Sequence, residues 1–222
     1  MKILSAKCVV AAAVLGLSAA ASADTITGQF NYTHLKSINI TSPTRSGDVN
    51  TVKFNWTRQD SPGPGVDSQI ASAFNTYCVD LAQVVSANNE YAYNVVTPAA
   101  HGFSLTQTTM LERLWADYFP TIDNSDKSAA FQMAIWEIIH DTSLSLSAGT
   151  FKVNNAATAV ALATGWLGNV SSAGYTTINP IPRLVVLESS SAQDQITVVP
   201  APATGVLAGM GLLALGSRRR RA

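Results

Sequence analysis

Two residues that lie far apart in the sequence, Cys78 and Gln132, could perform chemistry together. Cys78 stands in the short segment YCVDL, and Gln132 stands in the apolar segment FQMAIWEIIHD. A glutamine near a packed face needs a polar partner, and a thiol offers it an unusual one. The sulfur can attack the amide carbon and expel ammonia, which leaves a thioester. The pair could therefore form an internal thioester, provided that the fold brings the two side chains together.

A helix is predicted to carry Gln132. Ile135, Ile138 and Ile139 recur at helical spacing with Trp136 beside them, which indicates an amphipathic or largely buried helix with Gln132 in its first turns. Trp136 lies one turn beyond Gln132 on the same face, so it could shield the acyl carbon from water or serve as an ordinary core aromatic.

A strand over residues 73–81 is predicted to carry Cys78. The two-residue period of a strand puts Cys78 and Asp80 on one face and Tyr77 on the other. An ionised Asp80 would raise the pKa of the thiol and favour a masked sulfur. Asp80 could equally cap the turn at the end of the strand.

These two segments together resemble the thioester domains of bacterial surface adhesins. Cys78 and Gln132 match the residues that form the internal thioester of that family, Tyr77 matches the aromatic before the cysteine, and Trp136 matches the tryptophan after the glutamine. Phe131 stands where the family commonly has threonine. The resemblance implies a single-use binding module rather than an enzyme, which captures an amine-bearing surface protein or a polyamine.

The two ends of the chain are predicted to be targeting segments. Lys2 and Lys7, an apolar run and the sequence Ala-Ser-Ala at 21–23 have the order of a signal peptide, so residues 1–23 should be removed. Residues 199–222 contain a proline motif, a short apolar run and an arginine cluster, and resemble the PEP-CTERM sorting tail. The motif consists of Val199, Pro200, Ala201 and Pro202, with Ala201 in place of the usual Glu, and the cluster consists of Arg218, Arg219, Arg220 and Arg221.

The tail resemblance implies recognition by an exosortase and a location in the cell envelope, at the cell surface or in the extracellular matrix of a Gram-negative bacterium that makes exopolysaccharide. The four arginines would remain cytoplasmic. A short transmembrane helix that stays in place is the alternative for this tail.

The charge of the chain changes when both ends are removed. They carry six of the 14 Lys and Arg and none of the 14 Asp and Glu, so the formal charge of the mature domain is 8 − 14 = −6. An acidic surface argues against binding nucleic acid. Cys8 leaves with the signal peptide, so Cys78 is the only cysteine of the exported domain and has no disulfide partner within it.

The predicted fold class is α+β: an antiparallel β-sandwich or barrel over residues 24–198 with a helical insertion at about 104–168. Ser104 and Gln107 have capping-box spacing and predict the start of the first helix. Strands on either side of the insertion must pair to close the sheet, so residues 183–199 should lie beside early strands.

Two other function classes are compatible with the residues. In one, the domain is a non-covalent structural or carbohydrate-binding module of the exopolysaccharide matrix with an inert Cys78. In the other, weaker one, Cys78 and a histidine form a cysteine hydrolase, although the sequence provides no orienting third residue. His140, His101, Glu137 and Asp141 are candidate acids or bases, but their spacing requires none of them. The histidines are isolated and Cys78 has no second thiol, so no metal or cofactor is expected.

Overall fold

A computed structural model describes residues 24–199, and the predicted signal peptide and residues 200–222 of the predicted sorting tail lie outside that range. Within it, helices are inserted into an antiparallel sheet of seven strands, so the predicted α+β class is confirmed. Val199, the first residue of the predicted sorting motif, is the last residue of the final strand and is buried.

The sheet closes into a barrel. Its strands are β1 (Thr25–Thr41), β2 (Ser46–Arg58), β3 (Ala73–Cys78), β4 (Glu90–Val96), β5 (Lys152–Val153), β6 (Arg183–Glu188) and β7 (Gln195–Val199). The order β2-β3-β7-β6-β4-β1 becomes a ring because β1 also pairs with β2, and β5 extends the far end of β1. The late strands β6 and β7 pair with β4 and β3, as the sequence predicts.

Four α-helices lie between β4 and β6. They are α1 (Pro98–His101), α2 (Leu105–Tyr118), α3 (Ser125–His140) and α4 (Ala157–Val170). The predicted capping box is present at the start of α2, where the Ser104 side chain accepts from the Gln107 N–H and the Gln107 side chain accepts from the Ser104 N–H. Asn124 caps α3 by accepting from the Lys127 N–H. No helix of the described residues is long and apolar enough to cross a membrane.

Helix α3 forms the centre of the core. Every side chain from Ser128 to Ile138 is buried, because the helix packs on β1 and β2 on one side and on α2 and α4 on the other. A helix enclosed on all sides is expected to be apolar all round. The two polar residues in its middle, Gln132 and Glu137, are therefore exceptions that need an explanation.

A buried ion pair fixes the long loop after β2. Arg58 donates to the carboxylates of Asp67 and Asp60, each at 2.7 Å, and also to the main-chain oxygen of Asp67. The side chains of Arg58 and Asp67 are almost completely buried. This loop therefore has a defined position against the barrel although it contains two prolines and two glycines between residues 60 and 65.

Candidate functional site

The site is built where β3 separates from β2. Pairing between these strands ends at Phe54 and Thr76. Cys78, two residues further along β3, pairs only with β7. The main-chain N–H and C=O of Cys78 point towards the space that β2 has left. Without a partner these two buried groups would be costly.

The Gln132 side chain occupies the position of the missing strand. The Cys78 N–H donates to Gln132 Oε1 at 3.0 Å, and Gln132 Nε2 donates to the Cys78 carbonyl oxygen at 2.7 Å. The fold thus brings together the two residues predicted from the sequence, which are 54 positions apart. Cys78 is 2% exposed and Gln132 is 1% exposed, so bulk water does not compete for these bonds.

An aromatic cluster on the other side of β3 holds the strand against α3. The rings of Tyr77 and Phe131 lie 4.8 Å apart, and both pack against Trp115. The Tyr77 hydroxyl lies 3.1 Å from Ser128 Oγ, also on α3. Because Tyr77 precedes Cys78 and Phe131 precedes Gln132, this cluster fixes the register of the pair.

The surroundings of the sulfur keep it neutral. Cys78 Sγ donates to the Asp80 carbonyl oxygen, and burial raises the pKa of the thiol well above its usual value. The negative charge of Asp80 raises that pKa further. A thiolate is therefore disfavoured in this position, whereas an uncharged acyl group on the sulfur carries no such penalty.

Asp80 acts mainly through the turn that follows the strand. Its carboxylate accepts from the main-chain N–H groups of Ala82 at 2.6 Å and Gln83 at 3.2 Å. This is the turn-capping arrangement that the sequence left open beside an electrostatic role. The cap fixes the carbonyl group that the thiol contacts.

Trp136 contributes an unused hydrogen-bond donor to the site. Its side chain is 2% exposed, and its indole Nε1 has no hydrogen-bond partner among residues 24–199. The indole nevertheless lies close enough to Cys78 to lower the pKa of the thiol, in opposition to burial. Buried donors are nearly always paired, so the indole N–H of Trp136 is an exception among the buried polar groups of the described residues, as is that of Trp115.

A cavity of 410 Å³ leads from the surface to the pair. Cys78, Gln132 and Trp136 lie along its wall, together with apolar residues of β1 and β2 such as Phe30 and Phe54. A small molecule or an extended side chain can therefore reach the carboxamide without opening the barrel.

The other candidate acids and bases do not contact the sulfur. His101 pairs with Glu188 at 2.5 Å, and His140 Nε2 is buried without a partner in the described part of the chain. No histidine between residues 24 and 199 forms a hydrogen bond to Cys78 Sγ, so the geometry gives a cysteine hydrolase no general base. The same residues contain no group of three His, Cys, Asp or Glu side chains placed to hold a metal ion.

Asp141, the fourth candidate acid or base, forms hydrogen bonds with the main chain of the loop that follows α3. Its carboxylate accepts from main-chain N–H groups that include those of Ser143 and Phe151, and these bonds hold its pKa well below the usual value. It therefore closes the loop that follows α3.

Two residues have structural environments that the sequence does not predict. Glu137 is completely buried: Oε1 accepts from the Ser145 N–H, Oε2 has no partner among the described residues, and burial raises the pKa to about 7. Its position between Trp136 and Ile138 in an apolar run is the only hint. Arg45 lines the cavity although it belongs to the turn between β1 and β2, where the sequence gives no reason to expect it.

Comparison with known proteins gives likenesses of structure only. No protein-family model and no curated protein matches the chain. The chain is similar to the N-terminal domain of the Streptococcus pyogenes pilus tip adhesin Cpa, with 13% identity and a TM-score of 0.46 over 83% of this chain and 97% of that chain. It is also similar to the N-terminal thioester domain of the fibronectin-binding protein SfbI from Streptococcus pyogenes, with 12% identity and a TM-score of 0.47 over the same shares of the two chains.

Proposed function

We propose that this chain is a covalent capture module in which Cys78 and Gln132 form an internal thioester that an amine-bearing partner opens. The observation that carries the proposal is the pair of hydrogen bonds that hold the Gln132 carboxamide against the main chain of Cys78, at the wall of an accessible cavity. The adhesion role follows from this chemistry, because a bond formed once to a surface amine does not dissociate.

Formation of the thioester is an exchange of the acyl group. A bond forms between Cys78 Sγ and Gln132 Cδ, the bond between Cδ and Nε2 breaks, and ammonia leaves with the thiol proton. The Cys78 N–H remains directed at Oε1 and stabilises the negative charge that develops on this oxygen in the tetrahedral intermediate. The reaction requires no metal, cofactor or nucleotide.

Capture reverses the exchange with a different amine. Once ammonia has left, the Cys78 carbonyl oxygen lacks the donor that Nε2 provided. An incoming primary amine can donate to that oxygen, which places its nitrogen beside the acyl carbon. The nitrogen attacks Cδ, the sulfur departs with a proton from the amine, and the new amide N–H restores the original hydrogen bond.

Trp136 assists the departure of the sulfur. Burial makes a thiolate a poor leaving group, and the unpaired indole N–H is the donor available to stabilise charge on Sγ in the transition state. The ring also excludes water, so the thioester can persist until a partner binds.

A fluorescent primary amine tests this function. The mature domain is incubated with dansylcadaverine, digested, and mapped by tandem mass spectrometry, with thiol titration in parallel. We expect one label per chain on Gln132 and one new thiol on Cys78. Label at other residues, or equal labelling of the Cys78→Ala variant, would contradict capture through the thioester.

A non-covalent structural module is the second candidate, and one observation favours it. The Gln132 carboxamide satisfies both main-chain groups of Cys78 in the form that has not lost ammonia, so the contact is stable without any reaction. In that case the domain would take no label, and Cys78 would have a free, slowly alkylated thiol.

The location proposed for the module is the cell envelope or the surrounding matrix of a Gram-negative bacterium. Export would remove residues 1–23 and leave Asp24 at the N-terminus, immediately before β1. An exosortase would process the tail near Pro200 to Pro202, with Arg218–Arg221 as the cytoplasmic stop. N-terminal sequencing of the envelope protein should begin at Asp24, and unchanged processing after neutralising the four arginines would contradict the sorting role.

A further inference from the structure

The walls of the cavity are apolar and carry almost no charge. Phe30, Val52, Phe54 and Leu81 form part of the inner wall, and Asn50, Ser86 and Gln193 are uncharged polar lining residues. No carboxylate lines the cavity. An ammonium group in the cavity would therefore contact no carboxylate of the lining, which favours the neutral amine needed for attack; the charges of Asp80 and Asp194 act on Cys78 from outside the lining.

Arg45 is the one charged residue that lines the cavity. It is half-buried, and within residues 24–199 its guanidinium takes part in no ion pair. The turn that carries it is fixed, because Ser42 Oγ donates to the Arg45 carbonyl oxygen at 2.8 Å and accepts from the Arg45 N–H at 3.0 Å. An unpaired cation in a domain with 8 basic and 14 acidic residues is therefore held beside the route to Gln132.

Exposed apolar side chains accompany this charge. Tyr32, Leu35 and Val84 line the cavity and are exposed to solvent, although most large apolar side chains of the domain are buried. Apolar exposure at the opening of a cavity is typical of a surface that a partner covers.

Resting on the proposed thioester, we propose that the captured partner is an acidic protein segment that presents a lysine. Its lysine enters the cavity and attacks the Gln132 acyl carbon, while a carboxylate close to that lysine in its sequence pairs with Arg45. Apolar side chains of the same segment cover Tyr32, Leu35 and Val84. Arg45 thus acts as a specificity-determining residue that selects acidic over basic surroundings of the amine.

Three peptides that differ only in charge test the assignment. Each is acetylated and amidated and contains one lysine, which is flanked by Glu, by Gln or by Arg. The rate of adduct formation is followed by intact mass at low salt, with methylamine as a reference amine. The net charge of −6 disfavours acidic peptides at long range in every variant, so the quantity compared is the acidic preference, defined as the ratio of the Glu-peptide rate to the Arg-peptide rate. Since single partly exposed charge pairs change affinity modestly, this preference should be about two- to tenfold higher in the wild type than in a variant without the Arg45 charge.

Two variants localise the effect. Arg45→Gln should lower the acidic preference by that factor without changing the methylamine rate. Lys53→Gln removes the same charge from β2 at a position that does not line the cavity, and should retain the preference. High salt should weaken the preference in the wild type.

The outcomes separate this inference from the proposed function. An acidic preference that is equal in the wild type and in Arg45→Gln, or that Lys53→Gln lowers by as much, would overturn the acidic partner while methylamine capture still stands. If the wild type does not react with methylamine, the thioester itself is wrong, and the inference falls with it.

Discussion

A crosslink between Cys78 and Gln132 should contribute strongly to the stability of the domain. It closes a loop of 132 − 78 = 54 residues between the barrel and the central helix. The loop-entropy relation for covalent crosslinks gives about 4 kcal/mol for a loop of this length. A domain of this size typically has a total free energy of unfolding of about 5–15 kcal/mol, so losing the crosslink should be easy to measure.

The two single variants should differ by an amount that follows from the hydrogen bonds. Cys78→Ala removes the crosslink but keeps the main-chain groups that pair with Gln132, so it should lose at most about 4 kcal/mol. Gln132→Ala also leaves the N–H and C=O of Cys78 buried without partners, at about 1–3 kcal/mol each. It should therefore be less stable than Cys78→Ala by at least about 2 kcal/mol.

Urea unfolding of the wild type, both single variants and the double variant measures these terms. The crosslink can be lost only once, so the double variant should be about as stable as Gln132→Ala. The coupling energy should then equal the loss of Cys78→Ala, which is at most about 4 kcal/mol because the restored Nε2–H bond offsets part of the lost crosslink. Wild type opened with methylamine is a matched control, because it loses the crosslink and keeps both side chains. Additive losses in the double variant would refute the crosslink.

Three further predictions concern Trp136, Glu137 and the Arg58–Asp67 ion pair. Trp136→Phe should still form the thioester, but the reaction with methylamine should free the Cys78 thiol about tenfold more slowly because the indole N–H is lost. An unchanged rate would show that the ring acts only as a shield. Burial raises the pKa of Glu137 from 4.5 to about 7. The contribution of Glu137 to the free energy of unfolding is therefore complete below about pH 4.5 and is lost as the pH rises to about 7. The unfolding free energy of the wild type should fall by up to about 3 kcal/mol across this interval, and that of Glu137→Gln should not. Equal slopes of unfolding free energy against pH in the two proteins would contradict the raised pKa of Glu137. Arg58→Met should lower the free energy of unfolding in urea by about 3–5 kcal/mol, because it leaves Asp67 buried without its ion-pair partner. The control Arg183→Met loses one exposed hydrogen bond and should lower it little.

The general architecture follows from local patterns in the sequence. The capping box at Ser104 and the apolar spacing around Trp136 define α2 and α3 because these signals depend on neighbouring residues only. The alternation of polar and apolar residues predicts strands but does not distinguish a sandwich from a barrel. That choice depends on the long-range pairing of β1 with both β2 and β4, which no local pattern encodes.

The pair itself could be anticipated from the sequence, whereas its surroundings could not. A glutamine in an apolar helix and a lone cysteine at the end of a strand are each unusual, and the resemblance of their two segments to thioester domains is what connects them. The two main-chain bonds of Gln132 arise because β2 leaves β3 after Thr76, which is a property of the closed barrel. Arg45 lines the cavity from the turn between β1 and β2, and its sequence neighbours give no indication of that position.

The intact mass of the mature domain, purified without reductant or added amine, tests the thioester most directly. The wild type should weigh one ammonia less than its sequence requires, and Cys78→Ala should have its full sequence mass. Cys78 of the wild type should resist alkylation until methylamine is added, and the adduct should then weigh one methylamine more than the untreated domain. A wild type with full sequence mass and a Cys78 thiol that alkylates without amine would contradict the thioester and leave the structural module as the function of this fold.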